Sequence, residues 1–290
     1  LVNDSPLFFD GGVTGGQPWE PKHYDGKFEG PMSLRTGLAK SKNMVSIRVL
    51  QAVGARQAQE WVTRFGFDED KHPAYLTMAL GAGSVTPMQM ATGYSVFANG
   101  GYRVQPHLIN RITDFKDRVL VDSPAVVQQT ETPAIPARNA FVMTSLLQEV
   151  TRSGTAARAQ ATLKRPDIYG KTGTTNDAMD AWFAGYQQHL AAVVWIGYDT
   201  PRKLGDRETG GGLSLPVWIS FMETALRGIP VSEPAVAEGL VNVGGDWMYE
   251  EYAKGGGVST LGTGNEASGK APHATPPAEE RNRILDLFRN

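Results

Sequence analysis

The sequence predicts an α/β fold of the α+β kind, a mainly antiparallel sheet flanked by helices together with a helical lobe. Three observations carry this. Residues 33–101 hold apolar patterns of helical period separated by helix stops, and another such pattern runs from about Arg138 to Arg152. The period then changes, because Ile168–Thr174, Ala181–Tyr186 and Leu190–Tyr198 are short apolar or alternating runs divided by polar turns. One apolar helical pattern follows, from Ser214 to Gly228. Helix, three strands and helix in succession are the order of a sheet covered by helices.

Residues 1–31 are rich in Gly, Pro and Asp with Phe8, Phe9, Trp19 and Tyr24 interspersed, and read as an ordered loop region anchored by aromatics. Ser33 is placed to cap a helix carrying Leu34 and Leu38, which Lys40-Ser41-Lys42-Asn43 interrupts. A second helix follows to Gly54, and a third runs from Arg56 to Phe65, with Gly66 as its stop. Thr86-Pro87-Met88-Gln89 combines an N-cap threonine, a first-turn proline and a glutamine three residues on, so a capping box opens a helix to Ala98. Asn99-Gly100-Gly101 ends it. Residues 102–127 alternate as short strands with Asp117-Arg118 in a hairpin turn. In the helix after Pro136, Phe141, Leu147 and Val150 are core candidates, and Thr155 is placed to cap a short helix beyond Gly154. Gly210–Gly212 reads as a tight turn at a strand end, and Trp182, Trp195 and Trp218 as core. Past Pro230 regular order weakens, residues 254–280 are dense in Gly, Ser, Thr and Pro, and Glu280–Asn290 has the pattern of a short amphipathic turn.

Composition narrows the function classes. The 290 residues carry a formal charge of −2, so nothing points to nucleic acid or an anionic lipid surface as partner. There is no cysteine, hence no disulfide framework and no thiolate metal site. The five histidines lack metal-ligand spacing, and no metal or cofactor is expected. No apolar run approaches the length of a membrane span. The chain opens on Leu1 without a visible signal peptide, and the expectation is that any targeting segment lies upstream.

The chemistry concentrates in Tyr169-Gly170-Lys171-Thr172-Gly173-Thr174-Thr175-Asn176, which joins a cation, small hydroxyls and glycines that let a ligand approach the main chain. A phosphate-binding P-loop is a poor match, since its first glycine would fall on Arg165 and the residues after Thr172 are poor helix starters. What remains is Lys-Thr-Gly on a strand edge, suited to an anionic group, with Ser41-Lys42-Asn43 in a loop between two helices upstream. Each is weakly specific alone, and the ordinary readings are a solvated strand end and an inter-helix turn.

Together, and with Asp180-Ala181-Trp182-Phe183-Ala184-Gly185-Tyr186 continuing the strand, they resemble the transpeptidase domain of class A (bifunctional) penicillin-binding proteins. Ser33–Gly54, Ala79–Gly101, Val150–Ala157 and Leu190–Asp199 share the likeness, which covers residues 1 to about 230, with 231–290 as a C-terminal extension. The resemblance implies a β-lactamase/D,D-transpeptidase-like fold and peptidoglycan crosslinking through an acyl-enzyme on D-Ala-D-Ala. It implies Ser41, Asn43 and Lys171 as catalytic groups and Thr172, Gly173, Thr174 and Thr175 as substrate-binding ones. Peptidoglycan stem peptides and β-lactams are the implied partners, with cell-wall assembly proteins beside them, at the periplasmic face of the bacterial inner membrane. No serine has lysine three residues later, so the Ser-x-x-Lys nucleophile signature is missing. The expectation is a segment lost ahead of Leu1 and a chain inactive alone. The alternatives are a non-catalytic module of the same fold and, more remotely, a serine β-lactamase, for which no Glu-x-x-Leu-Asn segment is found.

Overall fold

The computed structural model describes residues 1–11, 17–122 and 132–263, apart from the side chain of Asn176. Strand β1 (Val2–Asp4) pairs antiparallel with β2 (Gly30–Met32). Three helices follow, α1 (Leu34–Ala39), α2 (Asn43–Val53) and α3 (Ala55–Val62), the last running into a 3-10 turn that stops at left-handed Gly66. Ser33 caps α1 by accepting from Thr36 N–H. Helix α4 (Pro87–Ala98) opens on the expected capping box, Thr86 with the Gln89 N–H and the Gln89 side chain with the Thr86 N–H. The hairpin β3 (Arg111–Thr113) and β4 (Val119–Asp122) turns at Asp117, which takes a positive φ of 59°. Helix α5 (Ala137–Arg152) and the short α6 (Arg158–Leu163) lead to the sheet.

That sheet is antiparallel, in the order β5 (Tyr169–Thr174), β6 (Ala181–Gln187), β7 (Leu190–Ile196). Its two faces alternate along the strands. Phe183, Ala192 and Val194 meet Val150, Ala159, Leu215, Trp218 and Met222, so α6 and the final helix α7 (Leu215–Ala225) cover one face. Tyr169, Tyr186 and Ala191 pack with Leu147, Tyr94 and Phe97, which places α4 and α5 on the other. A separate core of Phe9, Met44, Ile47, Leu50 and Leu76 builds the helical lobe around α2.

Four expectations change. Trp218 is fully buried, but Trp182 and Trp195 lie tilted on each other 5.9 Å apart and only half-buried, because they pair across β6 and β7 on the face that α4 covers only in part. Phe141 is also half-buried, edge-on to Trp247. Gly210–Ser214 is a π-helical turn leading directly into α7, not a strand-end turn. Past Pro230 a hairpin forms, β8 (Leu240–Val243) with β9 (Asp246–Tyr249). Residues 123–127, the end of the strand pattern at 102–127, and residues 264–290, which hold the end of the 254–280 stretch and all of Glu280–Asn290, lie outside the described residues.

Candidate active site

Three segments distant in sequence converge at the edge of β5. The first is the turn between α1 and α2. Ser41 adopts a positive φ of 55°, uncommon for a residue with a side chain, and this reverses the chain and leaves its hydroxyl exposed. The second is β5 itself, which among the described residues is the terminal strand of the sheet. Lys171 Nζ donates to Ser41 Oγ at 2.7 Å and to Thr172 O at 3.1 Å, across 130 residues of sequence in the first case. Burial pushes the Lys171 ammonium down to about 8. It makes no ion pair among the described residues.

The third segment is the loop between α5 and α6. Gly154 fits there because a Cβ would lie 2.3 Å from Ala39 O, and Thr155 N–H donates to the same carbonyl at 3.0 Å. Thr155 is therefore no helix cap. It is pinned to the end of α1, and its Oγ1 lies 2.7 Å from Thr172 Oγ1. The sequence signal was present, since Val150–Ala157 is one of the stretches carrying the resemblance, but a capping role was the simpler local expectation for a threonine after glycine.

Further along β5, Gly210 N–H donates to Thr174 Oγ1 at 3.0 Å. Only glycine fits at 210, because a Cβ would stand 2.2 Å from Trp182 O and 2.4 Å from Gly173 O. The π-helical turn that leads into α7 is thereby pressed against the strand at Gly173. The Thr174 hydroxyl accepts from Gly210 and keeps its proton for a ligand. Thr175 Oγ1 instead accepts from Met179 and Asp180 N–H at 3.0 and 2.8 Å, closing the turn into β6. Asn43, the first residue of α2, donates its side-chain amide to Lys22 O at 2.7 Å. Thus Ser41, Lys171, Thr172 and Thr174 are gathered along one edge, whereas the hydrogen bonds of Asn43 and Thr175 serve neighbouring loops.

This arrangement lines the edge of β5 with hydroxyls and one ammonium, groups whose chemistry suits an anionic ligand. Among the described residues no cluster of three or more His, Asp or Glu could hold a metal ion, and no helix is long and apolar enough to cross a membrane.

An edge strand of this kind beside a Ser-x-Asn turn, on an antiparallel sheet between helices, defines a penicillin-recognising fold. The family model "Penicillin binding protein transpeptidase domain" matches residues 1–218, and the chain belongs to that family. It is 44% identical over 280 residues to penicillin-binding protein 1A of Neisseria flavescens, covering 96% of this chain and 34% of that protein. It is 40% identical over 289 residues to penicillin-binding protein 1A of Pseudomonas aeruginosa, covering 84% of this chain and 35% of the relative. The chain thus spans about a third of the length of these curated relatives. The crystal structure of penicillin-binding protein 1A from Haemophilus influenzae superposes with a TM-score of 0.77 at 32% identity, over 85% of this chain and 43% of that one.

Proposed function

We propose that this chain is the cleft-bearing portion of a peptidoglycan D,D-transpeptidase within a bifunctional synthase. The observation that carries the reading is the Lys171–Ser41 hydrogen bond, which joins the Lys-Thr-Gly strand to the Ser-x-Asn turn. A serine from a Ser-x-x-Lys segment outside these residues attacks the carbonyl of the penultimate D-Ala, and the terminal D-Ala leaves. A neighbouring stem-peptide amine then takes the acyl group. Ser41 passes a proton toward the departing amine, and Lys171 orients Ser41 while holding positive potential in the cleft. Thr172 and Thr174 donate hydroxyl protons to the substrate's terminal carboxylate, and Gly173 lets it approach the strand. The Thr174 N–H contributes to the oxyanion hole, where one donor is worth about 2.7–4 kcal/mol of transition-state stabilisation. Asn43 faces the amide side of the substrate once its amide releases Lys22 O, and Thr175 shapes the exit of the strand.

By the same reading β-lactams acylate the complete site, residues 1–230 form the transpeptidase unit with 231–290 as an extension, and the working place is the periplasmic face of the inner membrane. The class A β-lactamase alternative needs a deacylating glutamate, and the absence of a Glu-x-x-Leu-Asn segment from these residues argues against it. Fluorescent penicillin tests the proposal. It is expected to leave this chain unlabelled and to label the longer polypeptide carrying the Ser-x-x-Lys, with Lys171→Ala in that longer form acylated roughly a hundred-fold more slowly. Covalent labelling of this chain alone, or an unchanged rate in Lys171→Ala, would refute the assignment.

A further inference from the structure

Behind the Ser41 turn lies a cluster of buried charged and polar side chains. Asp4, His23 and Lys42 have side-chain exposures of only 0%, 3% and 4%. Asp4 Oδ1 accepts from His23 Nε2 at 2.5 Å, and Asp4 Oδ2 accepts from Glu29 N–H at 3.0 Å. Lys42 Nζ donates to Glu29 Oε1 at 2.9 Å and to Lys27 O at 3.0 Å, with Asp25 and Asp4 carboxylate oxygens at 3.6 and 3.7 Å. Glu29 also pairs with Lys40, at the other end of the turn.

The first N–H of α2 needs an acceptor, as every helix start does. The residue before it is Lys42, which supplies none. His23 does, since Asn43 N–H donates to His23 Nδ1 at 3.3 Å. An amide N–H can only donate, so Nδ1 must carry the lone pair and the ring proton sits on Nε2, facing Asp4. Lys22 O, one residue back, takes the Asn43 side-chain amide. Residues 22–29 therefore grip Lys42 and Asn43 by backbone and side chain together, immediately after the positive-φ residue Ser41.

The geometry points to His23, seated on Asp4, as a positioning residue: its imidazole caps the helix that bears Asn43 and, with Lys42 caged by acidic groups, holds the Ser41 hydroxyl against Lys171. The assignment of catalytic work to Ser41 rests on the proposed function, but the placement of Ser41 does not. A buried ion pair is weak as a source of stability and better suited to fixing one arrangement among several, which is the role given to this cluster.

Two substitutions divide a positioning role from a merely structural one. Asparagine keeps an acceptor where Nδ1 stood and loses the Asp4 contact, whereas glutamine keeps a donor near Asp4 and loses the cap. His23→Asn leaves a buried Asp4 oxygen without its donor and is expected to lose at least as much Tm as His23→Gln. A Lys171 shift confined to His23→Gln therefore does not follow from lost stability. In this chain, the side-chain NMR signal of Lys171, assigned with Lys171→Gln, is expected to stay in place in His23→Asn. In His23→Gln it is expected to move toward that of a free surface lysine. Signals that stay in both variants, or move alike in both in step with lost stability, overturn the proposal. A parallel measurement of penicillin acylation in the longer polypeptide is expected to show a roughly ten- to hundred-fold slower rate for His23→Gln only, as small misplacements in a site do. A shifted Lys171 signal with an unchanged rate would uphold the clamp and refute the catalytic reading of Ser41.

Discussion

Two lysines, one in the cleft and one buried behind it, show how environment divides one residue type into two roles. Burial would lower Lys42, but Glu29, Asp25 and Asp4 outweigh it and raise its pKa, so it is a fixed structural cation. Lys171 has only the burial, and falls to about 8. Near neutrality it is mostly an ammonium, the form that the proposed reaction would use to attract a carboxylate. The unfolded chain holds this proton to about pH 10.4. Between about pH 8 and that value the unfolded chain binds more of this proton than the folded one. The Lys171 contribution to stability therefore rises with pH from about 8, up to about pH 10, where the buried tyrosines, held above their ordinary value, begin to act the other way. Urea unfolding at several pH values should show that rise, and Lys171→Gln should flatten it. An equally steep rise in the variant would mean that Lys171 is not depressed.

At the scale of elements, the cleft depends on how closely β5 and the start of α7 approach. The approach at Gly210 leaves no space for a methyl group, and both obstructing atoms are backbone oxygens that cannot rotate away. Gly210→Ala is therefore expected to push the π-helical turn off the strand and break the Thr174–Gly210 hydrogen bond. A cost of about 1–3 kcal/mol follows, as for other overpacked sites. Chemical denaturation measures the cost, and the Thr174 amide signal reports the displacement. A variant of unchanged stability would show that the turn has slack. The strands themselves were legible from alternation, and α4 from its capping box, because both signals are local. The π-helical turn was not, since three glycines in a row specify freedom and not the contact that uses it.

For the whole molecule, Asp167 joins the entry of β5 to the chain beyond α7. It is buried, accepts from Arg165 Nε and Nη2 at 2.9 and 2.7 Å, and also accepts from Gln187 and from Ser232 N–H at 3.0 Å. Burial acts to raise its pKa, but these donors, Arg165 foremost, hold it below the ordinary carboxylate value. Its stabilisation is thus complete above an unfolded pKa of about 3.9 and is lost as pH falls through the lower folded value. Asp167→Asn, which leaves Arg165 without its charge partner, is expected to cost about 3 kcal/mol at neutral pH. The urea midpoint checks this, and a shift under a quarter of that size would mean that the segment after α7 is held by other contacts.

The sequence by itself determined the order and type of the elements, the family resemblance, and the two motifs that meet in the cleft. Periodicity, caps and short motifs act over a few residues, and so they are written in the order of the residues. Only the tertiary structure decided which groups face one another. Thr155 reaches Thr172 because Gly154 sits tight on Ala39, and His23 caps a helix twenty residues downstream because Lys42 cannot. Nothing near His23 in the sequence marks it as more than a surface histidine. Its partners, Asp4 and Asn43, become neighbours only when burial of the apolar core brings β1, the 22–29 loop and α2 together.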